Sequence, residues 1–355
     1  MYNRTLDVLK DSSVKANWKA IKIDIIKDKK GDWEDLVPYQ IRSISVKEAC
    51  KTVTRCKLLY KQDGKIHKAK HRAKHQPKQH LYIPKQSIND NGFFRRTLGD
   101  MKFAEPLPEM EHDCVAVMEY GVWYVCIPVK ITAEVPRTKE LVVALDPGVR
   151  TFQTFYSPRV VGSIGDRAWE KLLKLCYALD QIKSKLTNKD LRAKNRRQLR
   201  IAEKRLTRLI KYKKEELHWK TAAFLAKSFR LIVIPKFSAG EMSRKAKRKI
   251  GSKTVRMMLT LAHSEFRERL KWAAAKYGSQ VFEVSEAYTS RTCTRCGHDH
   301  TKLGGAKTYV CPECGLKISR DYNGARNILL RAIPDLVAAL CGLSIDDLVT
   351  NEQNC

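Results

Sequence analysis

The order of apolar and polar positions divides the chain into a helical start, a stretch of short strands, and a longer region where buried strands alternate with amphipathic helices. Over residues 1–57 the apolar positions, among them Ile41, Ile44, Val46, Ala49 and Cys50, recur at helical spacing. Between 79 and 137 the period shortens. HLYIP, VAVMEYG and VWYVCIPVKI are rich in β-branched and aromatic residues, Gly121 falls at a hairpin turn, and Pro106, Pro108, Pro128 and Pro136 punctuate the segment. A small β-barrel or sandwich-like module is expected there. LVVALD (141–146) reads as a buried strand ending in an acid; Pro147-Gly148 turns the chain, and TFQTFYS (151–157) alternates as the returning strand. Residues 166–230 become helical, with Leu199, Ala202, Leu206, Leu209 and Ile210 as a packing stripe. LIVIP (231–235) and QVFEVSE (280–286) are further strands, separated by a helix over 254–277. A last helix covers 321–333, with Ala325, Ile328, Leu329 and Ala332 on one side.

Charge adds a partner to this outline. The chain has 69 Lys and Arg against 38 Asp and Glu, a formal net charge of +31. Such an excess repels itself unless a polyanion offsets it, and nucleic acid is the first candidate because phosphate neutralisation releases counterions. No apolar run is long enough to span a membrane, and MYNRTLDVLK has no apolar signal core. The basic residues cluster. Residues 61–78 hold seven Lys or Arg and one acid, with Lys68, Lys70, Arg72 and Lys74 as candidate phosphate contacts and His67, His71 and His75 as polar loop residues. Residues 183–214 hold 14 basic and two acidic residues, and Arg192, Arg196, Arg197 and Arg200 on this helical stretch are expected to meet RNA or DNA. Arg244, Lys245 and Arg248 sit in a third basic run, which suits a phosphate-binding loop, a nuclear-import signal or both.

Two kinds of residue carry chemistry. Cys293, Cys296, Cys311 and Cys314 form two C-x-x-C pairs separated by 14 residues, a donor set for one structural Zn²⁺ with no open coordination position. The spacer is short for this pattern, and Gly304-Gly305 can absorb the difference. Cys50, Cys56, Cys114, Cys126, Cys176 and Cys341 read mostly as small buried hydrophobes in a reducing compartment, and Cys355 as exposed. Among the acids, Asp146 and Glu286 each end an apolar strand, where open α/β sheets gather their ligands, and Asp321 starts a helix. Three such anions brought together would repel, and two Mg²⁺ ions would relieve that repulsion while promoting phosphodiester hydrolysis. Taken singly, Asp146 also suits a turn before Pro-Gly, and Asp321 a helix N-terminus.

LDPGVRTF (145–152), EAYTSRTCTRCG (286–297), YVCPECG (309–315) and SRDYNGARNIL (319–329) resemble the split RuvC-like nuclease of the TnpB proteins. DPGVRTF and SEAYTSRTC are most similar to their eukaryotic and viral relatives, the Fanzor proteins of type 2, and IRSISVKEAC (41–50) and EHDCVAV (111–117) also resemble that group. The resemblance implies an α/β RNase H-like (RuvC) nuclease domain with an inserted zinc ribbon, preceded by a helical recognition segment and a small wedge-type β-barrel. It implies recognition helices over 1–60, the barrel over 61–138, the first part of the nuclease over 139–286 with a basic helical hairpin at 166–230, the ribbon over 287–318, and the last part with the C-terminal tail over 319–355. It further implies RNA-guided cleavage of double-stranded DNA, one protein per transposon-encoded guide RNA, a nuclear location and no membrane. TnpB relatives carry a middle catalytic glutamate in a segment like P-K-F-E, where this chain has Pro235-Lys236-Phe237-Ser238. The expected replacement is the relocated Glu286, with Glu241 the runner-up. A guide-RNA- or DNA-binding protein that has lost cleavage is the alternative.

Overall fold

The structure is a computed structural model that describes residues 1–73, 76–89, 92–136, 139–236, 243, 251–285, 289–301, 303–304 and 306–341. It divides into two compact units, Met1–Lys130 and Ile131–Cys355.

In the first unit, the stretch expected to be mainly helical forms three helices, α1 (Tyr2–Val8), α2 (Trp18–Lys27) and α3 (Tyr39–Asp63). A buried ion pair ties α1 to the end of α2 and to the segment before α3. Arg4 on α1 meets Glu34 at 2.5 Å and donates to the carbonyls of Ile25, at 3.1 Å, and Asp28, closing off the end of α2. Burial raises the Glu34 carboxyl, and hydrogen bonds from Arg4 and the Lys30 amide more than reverse this, holding it below the usual range. The strands that follow are β1 (Lys78–Ile83), the two-residue pair β2 (Ile88–Asn89) and β3 (Gly92–Phe93), then a single turn α4 (Arg95–Leu98), β4 (Cys114–Glu119) and β5 (Val122–Cys126). β1, β4 and β5 form one antiparallel sheet, with the β4–β5 turn made by Tyr120 and Gly121 in left-handed conformations, and β2 and β3 form a separate ladder. Among the described residues these strands do not close into the expected barrel. Cys126 is exposed, because it lies at the end of an edge strand, whereas Cys50, Cys114 and Cys176 are buried as expected.

The second unit is built on a five-stranded sheet in the order β10-β9-β6-β7-β8. Its strands are β6 (Glu140–Pro147), β7 (Gln153–Tyr156), β8 (Val161–Ile164), β9 (Phe229–Pro235) and β10 (Gln280–Val284). β6, β7 and β8 are antiparallel neighbours, while β9 and β10 run parallel to β6. β8 was not evident in the sequence, since VGSI is short and flanked by Gly and Pro. The sheet is covered on both faces. α5 (Ala168–Thr187), α6 (Ala193–Ser228), α7 (Ser252–Leu261) and α8 (His263–Tyr277) pack on one, around Val143, Leu145, Phe152, Leu225, Ile232 and Phe266. α9 (Arg320–Cys341) packs on the other, where Ala325, Ile328, Leu329 and Ala332 are all buried, three of them against Ala144, Leu231, Val233 and Val284. The stripe expected on α6 is only half-buried, and Leu209 is exposed. The fully buried residues of α6 are His218, Thr221, Ala222, Leu225 and Ala226, in its later turns, where α8 and β9 join as neighbours. The single helix expected over 254–277 is two, broken at Ala262 (φ 48°).

That break places His263 beside the β6–β7 turn. His263 Nε2 donates to the Gly148 carbonyl at 3.1 Å, Gln153 lies 3.4 Å from its Nδ1, and the Phe152 ring stacks between His218 and His263 at 5.2 Å from each. His218 donates to the Leu261 carbonyl at 2.8 Å and accepts from Arg269 at 2.7 Å. Burial lowers the pKa of His218 to about 3 and that of His263 to about 4, from 6.5. Both are therefore neutral in the folded chain and protonate more readily when it unfolds. Stability is full above about pH 6.5 and is lost as pH falls toward the folded values. Lowering the pH from 7 to 5 should cost roughly 2 kcal/mol per histidine, read as a fall in the urea midpoint at constant slope.

Candidate functional site

The pleat of β6 decides where its terminal acid goes. Val143 and Leu145 face the α5–α8 layer and Val142 and Ala144 face α9, so Asp146 shares the α9 side by alternation. α9 begins at Arg320, which makes Asp321 its second residue. Gly324 is buried one turn in, and a Cβ there would stand 2.7 Å from Asp146 Oδ2. The helix lies this close to the carboxylate only because position 324 has no side chain. Asp146 and Asp321 line one cleft of about 670 Å³.

Asp166 lines the same cleft, accepting from Thr151 Oγ1 at 3.3 Å. Sequence reading missed it because β8, which delivers it, was missed; a lone acid after glycine at the start of a helical stretch was the available signal. Arg150, Lys253, Lys307 and Arg320 also line the cleft, with Lys253 over the Trp169 ring at 5.2 Å. Carboxylate oxygens beside cations suit a hard divalent metal and a phosphate in one space. Glu286 and Glu241 lie outside the described residues, as does Ser238. Glu283 turns to the helical layer on the other side, paired with Lys271 at 2.5 Å and Arg267 at 3.6 Å.

The cysteines converge. The ligand atoms of Cys293, Cys296, Cys311 and Cys314 all lie within 4.8 Å of one another, with Cys293–Cys314 and Cys296–Cys311 sulfur separations of 3.6 Å. Sulfurs about 2.3 Å from a tetrahedral Zn²⁺ would stand about 3.8 Å apart, so this set is compatible with structural zinc. Each C-x-x-C is followed by a glycine in left-handed conformation, Gly297 (φ 78°) and Gly315 (φ 71°). These tight turns return the Gly297 and Gly315 amides to the carbonyls of Cys293 and Cys311. Burial raises the Cys311 thiol, but the backbone amides of Cys314 and Glu313 and its neighbouring thiols bring it down to about 6. The His298 amide lowers Cys296, yet burial and hydrogen bonding to the other three thiols push it up to about 12. One thiolate thus forms readily, and a bound cation would displace the proton its neighbours retain. β11 (Thr308–Val310) and β12 (Lys317–Ser319) pair beneath the cluster around fully buried Tyr309, whose hydroxyl donates to the Arg291 carbonyl at 3.1 Å.

The basic candidates separate into two groups. Lys68, Lys70, Arg192, Arg197 and Arg200 are exposed. Arg72 and Arg196 serve the fold. Arg72 pairs with Glu48 at 2.8 Å and stacks over Tyr2 at 3.8 Å, and Arg196 donates to the carbonyls of Leu186, Asn188 and Lys189, joining the end of α5 to α6. Lys74, Arg244, Lys245 and Arg248 lie outside the described residues.

Residues 263–328, which run from α8 through the cysteine cluster into α9, match the Cas12f1-like TNB domain family. The chain is 28% identical over 252 residues to the TnpB-like protein L770 of Acanthamoeba polyphaga mimivirus, a match covering 67% of this chain and 47% of that one. It is 30% identical over 92 residues to the CRISPR-associated endodeoxyribonuclease Cas12f1 of Sulfoacidibacillus thermotolerans, covering 26% of this chain and 21% of that one. The chain is thus similar to viral TnpB-like proteins and, over a shorter stretch, to Cas12f1. It spans about half the length of the viral relatives it matches. Among solved structures, a CRISPR-Cas12f ternary complex aligns over 92% of this chain and 78% of that one, at 15% identity and a TM-score of 0.40. No helix among the described residues is long and apolar enough to cross a membrane.

The cluster gives a direct prediction. The purified chain should carry one zinc, and Cys311→Ser should lower the zinc-to-protein ratio, measured by atomic absorption, to well below one.

Proposed function

We propose that this chain is an RNA-guided DNA endonuclease of the Fanzor type 2 group. It hydrolyses phosphodiester bonds at a RuvC-like site formed by Asp146, Glu286 and Asp321, and takes a guide RNA and double-stranded target DNA as partners in the nucleus. The observation that carries this reading is the meeting of Asp146 and Asp321, 175 positions apart in sequence, in one cleft with basic walls. The sheet supports it: three antiparallel strands with two parallel strands added on the far side of the first is the arrangement expected of an RNase H-like domain. Glu286 has the parity of Phe282 and Val284, both of which pack on the α9 side of β10, and this favours it over Glu241 as the third ligand. The likeness to a CRISPR-associated endodeoxyribonuclease, Cas12f1, supports the activity.

Two Mg²⁺ ions held by these carboxylates would supply an activated water and a stabilised leaving oxygen. Asp146 is placed by the end of β6 and by the absence of a side chain at Gly324, and Asp321 by the first turn of α9. Arg150, Lys253 and Lys307 would orient the phosphate. The exposed Lys68, Lys70, Arg192, Arg197 and Arg200, together with Lys74, Arg244, Lys245 and Arg248, supply positive charge for guide RNA and DNA backbone, while base pairing selects the sequence.

The test is to purify the whole chain, sequence the RNA that accompanies it, and incubate the complex with matching DNA in Mg²⁺ or in EDTA. Cleavage in Mg²⁺ alone is expected. Asp146→Asn, Asp321→Asn and Glu286→Gln should reduce it to background with RNA still bound. Absence of RNA, with DNA binding independent of metal, would overturn the reading in favour of a binding protein. Activity in Glu286→Gln with none in Glu241→Gln would reassign the third ligand.

Gly324→Ala separates stability from activity. Alanine is favoured over glycine inside a helix by about 1 kcal/mol, so the melting temperature should hold or rise. The added methyl would displace the Asp146 carboxylate, so cleavage should fall by at least tenfold.

A further inference from the structure

Two asparagines on α9 have a role that the carboxylates and cysteines leave open. Asn323 and Asn327 stand one helical turn apart and are both buried, at 0% and 8% exposure. Asn323 Oδ1 accepts from the Thr294 amide at 3.1 Å, and its Nδ2 donates to the Thr292 carbonyl at 2.8 Å. Asn327 Nδ2 donates to the same Thr292 carbonyl at 2.7 Å and to the Thr289 carbonyl at 2.8 Å. The two side chains thus grip the backbone on both sides of Cys293, together with the segment leading up to it. A second connection reaches the same end of the helix. The Arg320 amide donates to the Lys307 carbonyl and the Arg320 guanidinium to the Gly304 carbonyl, each at 2.8 Å. β12 also runs directly into α9.

Side-chain amides suit this task. A carboxamide offers a donor and an acceptor at fixed spacing and carries no charge, so it can replace the missing partners of a buried, irregular backbone without repelling the nearby acids. Each bond left unmade there would cost the desolvation of a backbone group. Asp321 and Gly324 flank Asn323 on the same turns, and Gly324 is the residue against which Asp146 rests.

We infer that Asn323 and Asn327 are positioning residues that couple the four-cysteine site to the carboxylate cleft. Filling the cysteine site orders Thr289–Thr294, the asparagines transfer that order to the first turns of α9, and Asp321 is thereby held opposite Asp146. The coupling to cleavage rests on the function proposed above, whereas the mechanical link between cysteine site and helix does not.

The experiment therefore has two arms. In the first, amide hydrogen exchange is followed on the whole wild-type chain with zinc bound and after zinc chelation, and on Asn323→Leu with zinc bound. Chelation should speed exchange together in 289–294 and in 321–327. Asn323→Leu, still holding one zinc per chain, should speed exchange in 321–327. In the second arm, cleavage by Asn323→Leu should need about tenfold more Mg²⁺ for half-maximal rate, recover at high Mg²⁺, and show unchanged affinity for target DNA. A residue that merely stabilised the fold would not shift cation dependence alone. The inference is overturned if α9 stays protected after chelation, if Asn323→Leu keeps wild-type exchange and Mg²⁺ dependence, or if it loses zinc along with activity. Should Asn323→Leu fail to fold, the wild-type chelation experiment decides. Should the wild-type chain not cleave, the proposed function fails and the exchange arm alone decides the coupling.

Discussion

The burial of β6 on both faces is the constraint on which the second unit depends. Antiparallel β7 on one edge and parallel β9 on the other leave this strand no open edge. Helical layers cover Val143 and Leu145 above and Ala144 below, all at 0% exposure. A strand so enclosed has one register, because a shift by one residue would exchange its two faces and bring Asp146 into the α5–α8 core. The position of the acid is thus maintained by the packing of its apolar neighbours. His263 reinforces it by holding the Gly148 carbonyl immediately after the strand.

The other half of the cleft is positioned differently. Asp321 sits on a helix whose start is continuous with a small metal-type module rather than with the sheet. Among the described residues the apolar core of that module is Tyr309, Cys293 and Cys311, with Leu303, Cys314, Leu316 and Ile318 packed around them. So small a core is the usual circumstance in which a metal contributes to folding outright. The cleft therefore joins a rigid, sheet-borne carboxylate to one whose placement depends on a weakly cored insert, and the asparagine contacts lie where the two meet.

Charge alone does not identify contacts with nucleic acid. Arg72 and Arg196 belong to the same basic runs as their exposed neighbours, yet each guanidinium is used internally. One lies between Glu48 and Tyr2, and the other across the carbonyls that end α5. Arginine's planar fork suits such multidentate work, which is why it serves as a structural clasp as readily as a phosphate contact. The lysines and arginines with outward-facing heads are the better candidates for the backbone of RNA or DNA.

Much of the architecture was legible in sequence where the signal is local. The period of apolar residues marked the start of the chain as helical and located β6, β7, β9, β10 and α9, and the spacing of four cysteines announced their convergence, because a metal site is specified by ligand type and separation. Short or weakly patterned pieces were not legible. β8, with its acid Asp166, has four residues and little apolar alternation, and the break at Ala262, which sets His263 against the Gly148 carbonyl, is a left-handed position that no local propensity encodes. The expected barrel reads as strands in sequence, but how those strands pair is a long-range matter. The sequence by itself determined which residues are chemically able to bind a metal or a phosphate, since that depends on side-chain type. Only the tertiary structure decided which of them meet. Asp146 and Asp321 share a cleft because a central strand has one permitted register and because the helix approaching it lacks a side chain at Gly324.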